Sequence, residues 1–194
     1  MADRPLRILQ VLRAPIGGLF RHVSDLTLAL AERGHEIGIV ADSLTADGLT
    51  EQRLAALAPS AKLGIHHAPM PRVFGPGDLI APLKVRRLAN ELGIEVLHGH
   101  GAKGGLNARA ARMGVRSRVA LYTLHGGVLN YKPDSMIGGV FRSIEHLLLS
   151  QTDAIIFESA FAQATFRKMI ASGEKTMACI ANMTKLHSLN IRAI

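Results

Sequence analysis

The chain has 194 residues, 48% of them hydrophobic, which suits one full-sized folded domain, or a domain and a fragment, and excludes general disorder. Aromatic residues make up only 4%, with no Trp, which argues against a platform that stacks single-stranded bases on aromatic rings. The formal net charge of +8 favours an anionic partner such as a nucleotide or an acidic membrane surface, but no run of basic residues exceeds two, so no nucleic-acid partner is expected.

Leu6 to Leu12 is a short run dominated by Leu, Ile and Val, the pattern of a strand buried on both faces. Pro15 and the pair Gly17-Gly18 turn the chain. From Leu19 the apolar period becomes helical: Leu19, Val23, Leu26 and Leu30 share one face, and Gly34 supplies a stop. A second strand, Glu36 to Ala41, follows at once, so the first forty residues read as a βαβ unit with parallel strands. Thr50 to Leu57 reads as a short helix with Thr50 as its cap, and Lys62 to His66 as a third strand. Pro69, Pro71, Gly75, Pro76 and Gly77 mark a long loop of the kind found beside sites. Asp78 is placed to cap a helix to Leu92 that carries Leu79, Leu83, Leu88 and Leu92 among its apolar positions. Ile94 to Leu97 is a strand, Leu106 to Met113 a helix and Arg118 to Leu124 a strand. A helix from Ile137 to Ser150 is expected to turn Val140, Ile144, Leu147 and Leu148 inward. Asp153 to Phe157 is another strand, and Ser159 caps a helix from Ala160 to about Ile170. This alternation specifies an α/β class: a doubly wound, mostly parallel sheet in a single Rossmann-like domain over residues 1–173, followed by an atypical tail, 174–194.

Open parallel sheets bind ligands outside the carboxyl ends of their strands. Three clusters fall there: Pro15-Ile-Gly17-Gly18, His98-Gly-His100-Gly-Ala-Lys103-Gly-Gly105, and Thr123-Leu-His125-Gly126-Gly127. Unpaired N–H groups at a helix start favour anions such as phosphates, and the glycine pair equally suits the turn alone. His98 is expected to end its strand with a buried hydrogen bond. His100 and His125 stand between glycines that let a ligand approach, and Lys103 can neutralise a phosphate or carboxylate as readily as it can lie solvated. The three histidines have no ordered Cys or carboxylate partner nearby in sequence, so no metal is expected. No G-x-S-x-G elbow is present, and Cys179, the one cysteine, fits a reducing cytoplasm. Glu145, mid-helix after Arg142, reads as solvated or ion-paired.

Four stretches resemble family 4 glycosyltransferases in order: Arg7 to Ile37, with its Gly-Gly turn and R-H-V-x-x-L helix; Val96 to Gly105, similar to V-x-H-x-H-x-x-K-A-G; Tyr122 to Gly126, similar to T-x-H-G; and Ile144 to Ser159, similar to E-x7-D-x-I-I-x-x-S. The resemblance implies the amino-terminal, acceptor-side half of a two-domain GT-B enzyme. Such enzymes transfer a sugar from a nucleotide-sugar to an acceptor hydroxyl with retention, usually without metal, in polysaccharide or glycolipid assembly. It implies that His125 faces the transferred sugar as the catalytic residue. The Gly17-Gly18 loop would approach the donor phosphates, and His100, Lys103, Thr123 and Gly126 would serve the acceptor. No cofactor is implied beyond the nucleotide-sugar substrate. The family's donor-binding second domain, with its E-x7-E carboxylates, has no counterpart in these residues. The expected form is therefore truncated and weakly active or inactive alone, or else a non-catalytic binding module that needs a partner chain or self-associates. Charges at Asp3, Arg4 and Arg7 break any secretory leader, and no uncharged stretch reaches the roughly 18 residues of a membrane span. The expected location is cytoplasmic, with peripheral contact between the Met136 to Leu149 helix and anionic lipid as a further option. A dehydrogenase would need G-x-G-x-x-G after the first strand, which Gly17-Gly18 does not supply.

Overall fold

A computed structural model describes residues 4–44, 47–73, 75–125, 136–170 and 177–179. Strands and helices alternate: β1 (Arg7–Leu12), α1 (Gly17–Glu32), β2 (Glu36–Asp42), α2 (Gly48–Ala55), β3 (Ile65–Ala68), α3 (Gly77–Glu91), β4 (Val96–His100), α4 (Gly101–Arg112), β5 (Val119–Leu124), α5 (Met136–Leu149), β6 (Ala154–Phe157), α6 (Ala160–Ile170) and β7 (Met177–Cys179). The strands form one sheet in the order β3-β2-β1-β4-β5-β6-β7, every pair parallel. This is the doubly wound α/β architecture expected from the alternation. Its order reverses between β1 and β4, which opens a crevice at the carboxyl ends of those two strands.

Side chains on a strand alternate between faces, so register decides what each layer holds. Leu9, Val11 and Leu97 pack with Ala81, Val85, Ala89 and Ala108, the layer that α3 and α4 build on one face. Ile8 and Leu12 belong to the opposite layer, with Val23, Leu26 and Leu30 of α1. On the α1 side the sheet also carries polar residues: Gln10 pairs with His98, and His100 with Thr123.

Several elements differ from the sequence reading, each for a local reason. Strand β4 runs on to His100 and α4 begins at Gly101, five residues before the expected start. The glycines that look like helix breakers are packing sites. A Cβ at Gly99 would lie 2.5 Å from Gly104 O, one at Gly104 2.2 Å from Val11 O, and one at Gly105 2.3 Å from the Tyr122 ring. Their bare backbones let α4 lie directly on β1, β4 and β5. Asp47, not Thr50, caps α2, accepting a hydrogen bond from Thr50 N–H at 2.7 Å. Asp78 lies inside the first turn of α3 and accepts from Gly75 N–H at 2.9 Å.

Helix α3 buries Ala81, Val85 and Ala89, while Leu79 and Leu83 are 77% and 68% exposed. Small residues win that face because α3 packs against α4, leaving no room for leucines. Helix α5 buries Leu148 as expected, together with Phe141, Glu145 and Leu149, but exposes Val140 and Leu147, two of the expected inward set. Ser159 caps α6 as expected, its Oγ accepting from Ala162 N–H at 3.1 Å. Strand β7 adds a short stretch beyond residue 173 to the sheet. Among the described residues no helix is long and apolar enough to cross a membrane.

Candidate active site

The crevice gathers its polar groups from β1, β4, β5 and α1. On β4, His98 and His100 are two residues apart and therefore share a face, their ring centroids 4.1 Å apart. His98 Nε2 lies 2.8 Å from Thr123 Oγ1, the buried hydrogen bond anticipated for it, although His98 sits mid-strand because β4 runs on to His100. His100 Nε2 lies 2.5 Å from Gln10 Oε1, and its Nδ1 lies 3.4 Å from His125 Nε2. His125, just past β5, donates its Nδ1–H to Glu158 Oε1 at 2.8 Å. A fourth ring closes the group from α1: His22, 5.5 Å from His100 and 5.2 Å from His125 between centroids.

The sequence reading did not single out His22. A signal was present, since His22, Leu26 and Leu30 are four residues apart and all three are buried on the inner face of α1. Glu158 was also passed over, because nothing local marks the residue after β6 as a neighbour of His125.

Burial and mutual repulsion keep most of this cluster neutral. Burial, then the neighbouring His125, lowers the His22 pKa to about 4. Burial, then the surrounding imidazoles, pushes His98 and His100 well below the ordinary histidine value. The hydrogen bond from His125 holds the Glu158 carboxyl below its usual value.

A cavity of about 350 Å³ opens beside the cluster. Its lining includes Arg13 and Ile16 from the turn after β1, Arg72 from the loop before α3, His100 and His125, Lys103 of α4, and Phe141 and Glu145 of α5. Lys103 is not solvated: it pairs with Asp78 at 2.6 Å, both side chains close to buried. Glu145 is not solvated either. Its two oxygens accept from the two terminal nitrogens of Arg109 at 2.7 Å each, with both residues buried. Arg109 also donates Nε–H to Gly105 O at 2.9 Å and lies 4.1 Å from the Tyr122 ring centroid. Burial works against this guanidinium's charge, and the Glu145 carboxylate outweighs it, so its pKa is raised.

The residues singled out in sequence therefore separate. His100, Lys103 and His125 line the cavity. Thr123 is fully buried, does not line it, and holds His98 instead. Gly126 lies outside the described residues. Gly17 and Gly18 sit between Ile16 and Leu19, which do line the cavity. Gly17 has φ +61°, a left-handed conformation that favours glycine, and nothing lies within 4 Å of a Cβ at either glycine. Among the described residues, helix α1 starts there with no side-chain cap and no acidic residue in its first turn.

Sequence comparison matches residues 17–178 to the glycosyl transferase 4-like domain. No curated protein matches the chain in sequence. Among solved structures, a glycosyltransferase from Rickettsia africae superposes with TM-score 0.67 at 17% identity, over 92% of this chain and 43% of that one. HepE of Anabaena, solved with UDP and glucose, superposes with TM-score 0.64 at 20% identity, over 90% and 44%. A UDP-N-acetylglucosamine 2-epimerase from Listeria monocytogenes, described as putative in its own structure, gives TM-score 0.58 at 10% identity, over 90% and 44%. These likenesses show a shared fold, and the chain spans less than half the length of each of the three.

Proposed function

The chain belongs to the glycosyl transferase 4-like family, and on that premise we propose that it is the acceptor-side half of a glycosyltransferase. That enzyme moves a sugar from a nucleotide-sugar donor to an acceptor hydroxyl in polysaccharide or glycolipid assembly. The observation that carries the proposal is the convergence of His125, His100 and the open turn at Gly17-Gly18 around one cavity at the switch point of the sheet. A departing glycosyl phosphate develops negative charge. Backbone N–H groups at the uncapped start of α1, with Arg13 and Arg72 nearby, support that departure electrostatically. His125, its Nδ1 tied to Glu158 and its Nε2 facing His100, lines the cavity and contacts the transferred sugar. His100 and Lys103 bound the acceptor. Thr123 acts one step back, orienting His98.

In this reading a second α/β domain supplies most of the nucleotide contacts and a pair of carboxylates. No cofactor is used beyond the donor itself, and the working location is the cytoplasm or the inner face of the membrane. Sequencing the coding DNA and its flanks in all frames tests the two-part architecture. A second α/β half bearing E-x7-E is the expected result, and its absence overturns this reading.

The exposed apolar residues of α3, with Val73 before it, favour one second reading: a binding module whose partner covers that face. It expects self-association or a partner chain. A strictly monomeric species at high concentration, with the same face open to an apolar dye, contradicts self-association.

A further inference from the structure

We infer that His22, His100 and His125 form a binding site for a transition-metal ion, with zinc the ion that fits them best. One ligand nitrogen from each lies within 4.8 Å of the other two. The argument rests on where the protons must be. A carboxylate accepts only, so His125 carries its proton on Nδ1, toward Glu158. The Gln10 carbonyl likewise fixes the His100 proton on Nε2. That leaves His125 Nε2 and His100 Nδ1 facing each other 3.4 Å apart. Two nitrogens at that distance are joined by a cation between them, either a proton or a metal ion.

The spacing matches a tetrahedral zinc. Zn–N bonds of about 2.0–2.1 Å put two ligands of one ion about 3.3–3.4 Å apart. Bringing in His22 takes a side-chain rotation that closes a gap of at most 4.8 Å to that value. The outer shell is of the kind metal-bound histidines use: a carboxylate on one ring and an amide carbonyl on another fix the tautomers and aim the lone pairs inward. His100 and His125 also line the cavity of about 350 Å³. Three imidazoles suit zinc, nickel or copper, whereas magnesium and calcium require oxygen ligands. His98 falls outside the group whose ligand atoms lie within 4.8 Å of one another.

The site stands independently of the transferase reading. If that reading also holds, ion and transferred sugar compete for His125, and zinc is a reversible inhibitor.

The test uses the full chain, stripped with a chelator and titrated with zinc chloride, with magnesium chloride as the control. One equivalent of zinc is expected to bind at micromolar concentration or below. X-ray absorption should show imidazole nitrogens at about 2.0 Å. H22N, which removes a ligand, and E158Q, which alters the outer shell, are each expected to weaken binding about 10–100-fold. H146N, an exposed histidine outside the cluster, should leave it unchanged. Circular dichroism checks that each apo variant folds. Glu158 is partly exposed, so E158Q carries the test if H22N does not fold. Zinc binding no tighter than magnesium, affinity indifferent to both variants, or a spectrum dominated by sulfur from Cys179 would overturn the assignment.

Discussion

Replacing Glu145 with Ala strands the Arg109 guanidinium in the interior. Arg109 is 0% exposed and Glu145 1%, and the two share a pair of 2.7 Å hydrogen bonds that join α4 to α5. The remaining partners of Arg109, Gly105 O and the Tyr122 ring, cannot neutralise its charge. Breaking a buried pair from one side costs about 3–5 kcal/mol, a large part of the roughly 5–15 kcal/mol that holds a domain together. For a chain of this size that lowers Tm by about 6–20 °C. Urea unfolding of wild type, E145A and the double variant R109M/E145L measures it. The double variant removes both charges and fills the space with apolar groups, so it should be markedly more stable than E145A and close to wild type. Because Phe141 and Glu145 both line the cavity, E145A should also weaken ligand binding there. A loss below about 1 kcal/mol in E145A with an unchanged urea dependence, or a double variant as unstable as the single one, would refute this account of the pair.

The glycines offer a contrast at constant chemistry. G104A drives a methyl group to within 2.2 Å of Val11 O and should cost at least about 1–3 kcal/mol, whereas G18A meets open space and should leave Tm unchanged or slightly raised. The same G18A should weaken nucleotide-sugar turnover in the complete enzyme if a phosphate approaches that backbone. In the presence of a chelator, acid should destabilise the fold through His22. Its pKa is about 4 when folded against 6.5 ordinarily, so the unfolded chain binds the extra proton. Its contribution is full above pH 6.5 and is lost as pH falls toward 4, by about 3 kcal/mol in denaturant titrations. On α3, L79S and L83S should change stability by no more than about 0.5 kcal/mol. V85A, which opens a cavity in the α3–α4 layer, should lower it by about 1.5–3 kcal/mol.

The alternation of apolar runs, turns and helical stripes was enough to read the parallel α/β class, because most strands are short apolar runs and several are bounded by glycine or proline. Chain order alone also placed His100 and His125 near one another, since both follow strands that end at the same rim. Local pattern misled where tertiary packing overrode it. Gly99, Gly104 and Gly105 resemble a flexible ligand loop, yet they are smooth backbone against which strands and Tyr122 press. Leu79 and Leu83 look like core residues, but the α3–α4 contact admits alanine and valine there instead. Arg109 and Glu145 are 36 residues apart, and no periodicity announces that two charged residues will meet in the interior. His22 and Glu158 joined the site for the same reason: α1 and the end of β6 reach it through the fold, not through neighbouring sequence.

The most direct measurement is sugar transfer by this chain combined with the α/β donor half that completes it, using labelled nucleotide-sugars and cell-envelope acceptors. The proposed function expects transfer that needs both parts and falls about 10²- to 10⁴-fold in H125N, with the fold intact. Transfer by this chain alone, or transfer by the pair at full rate with H125N, would contradict it.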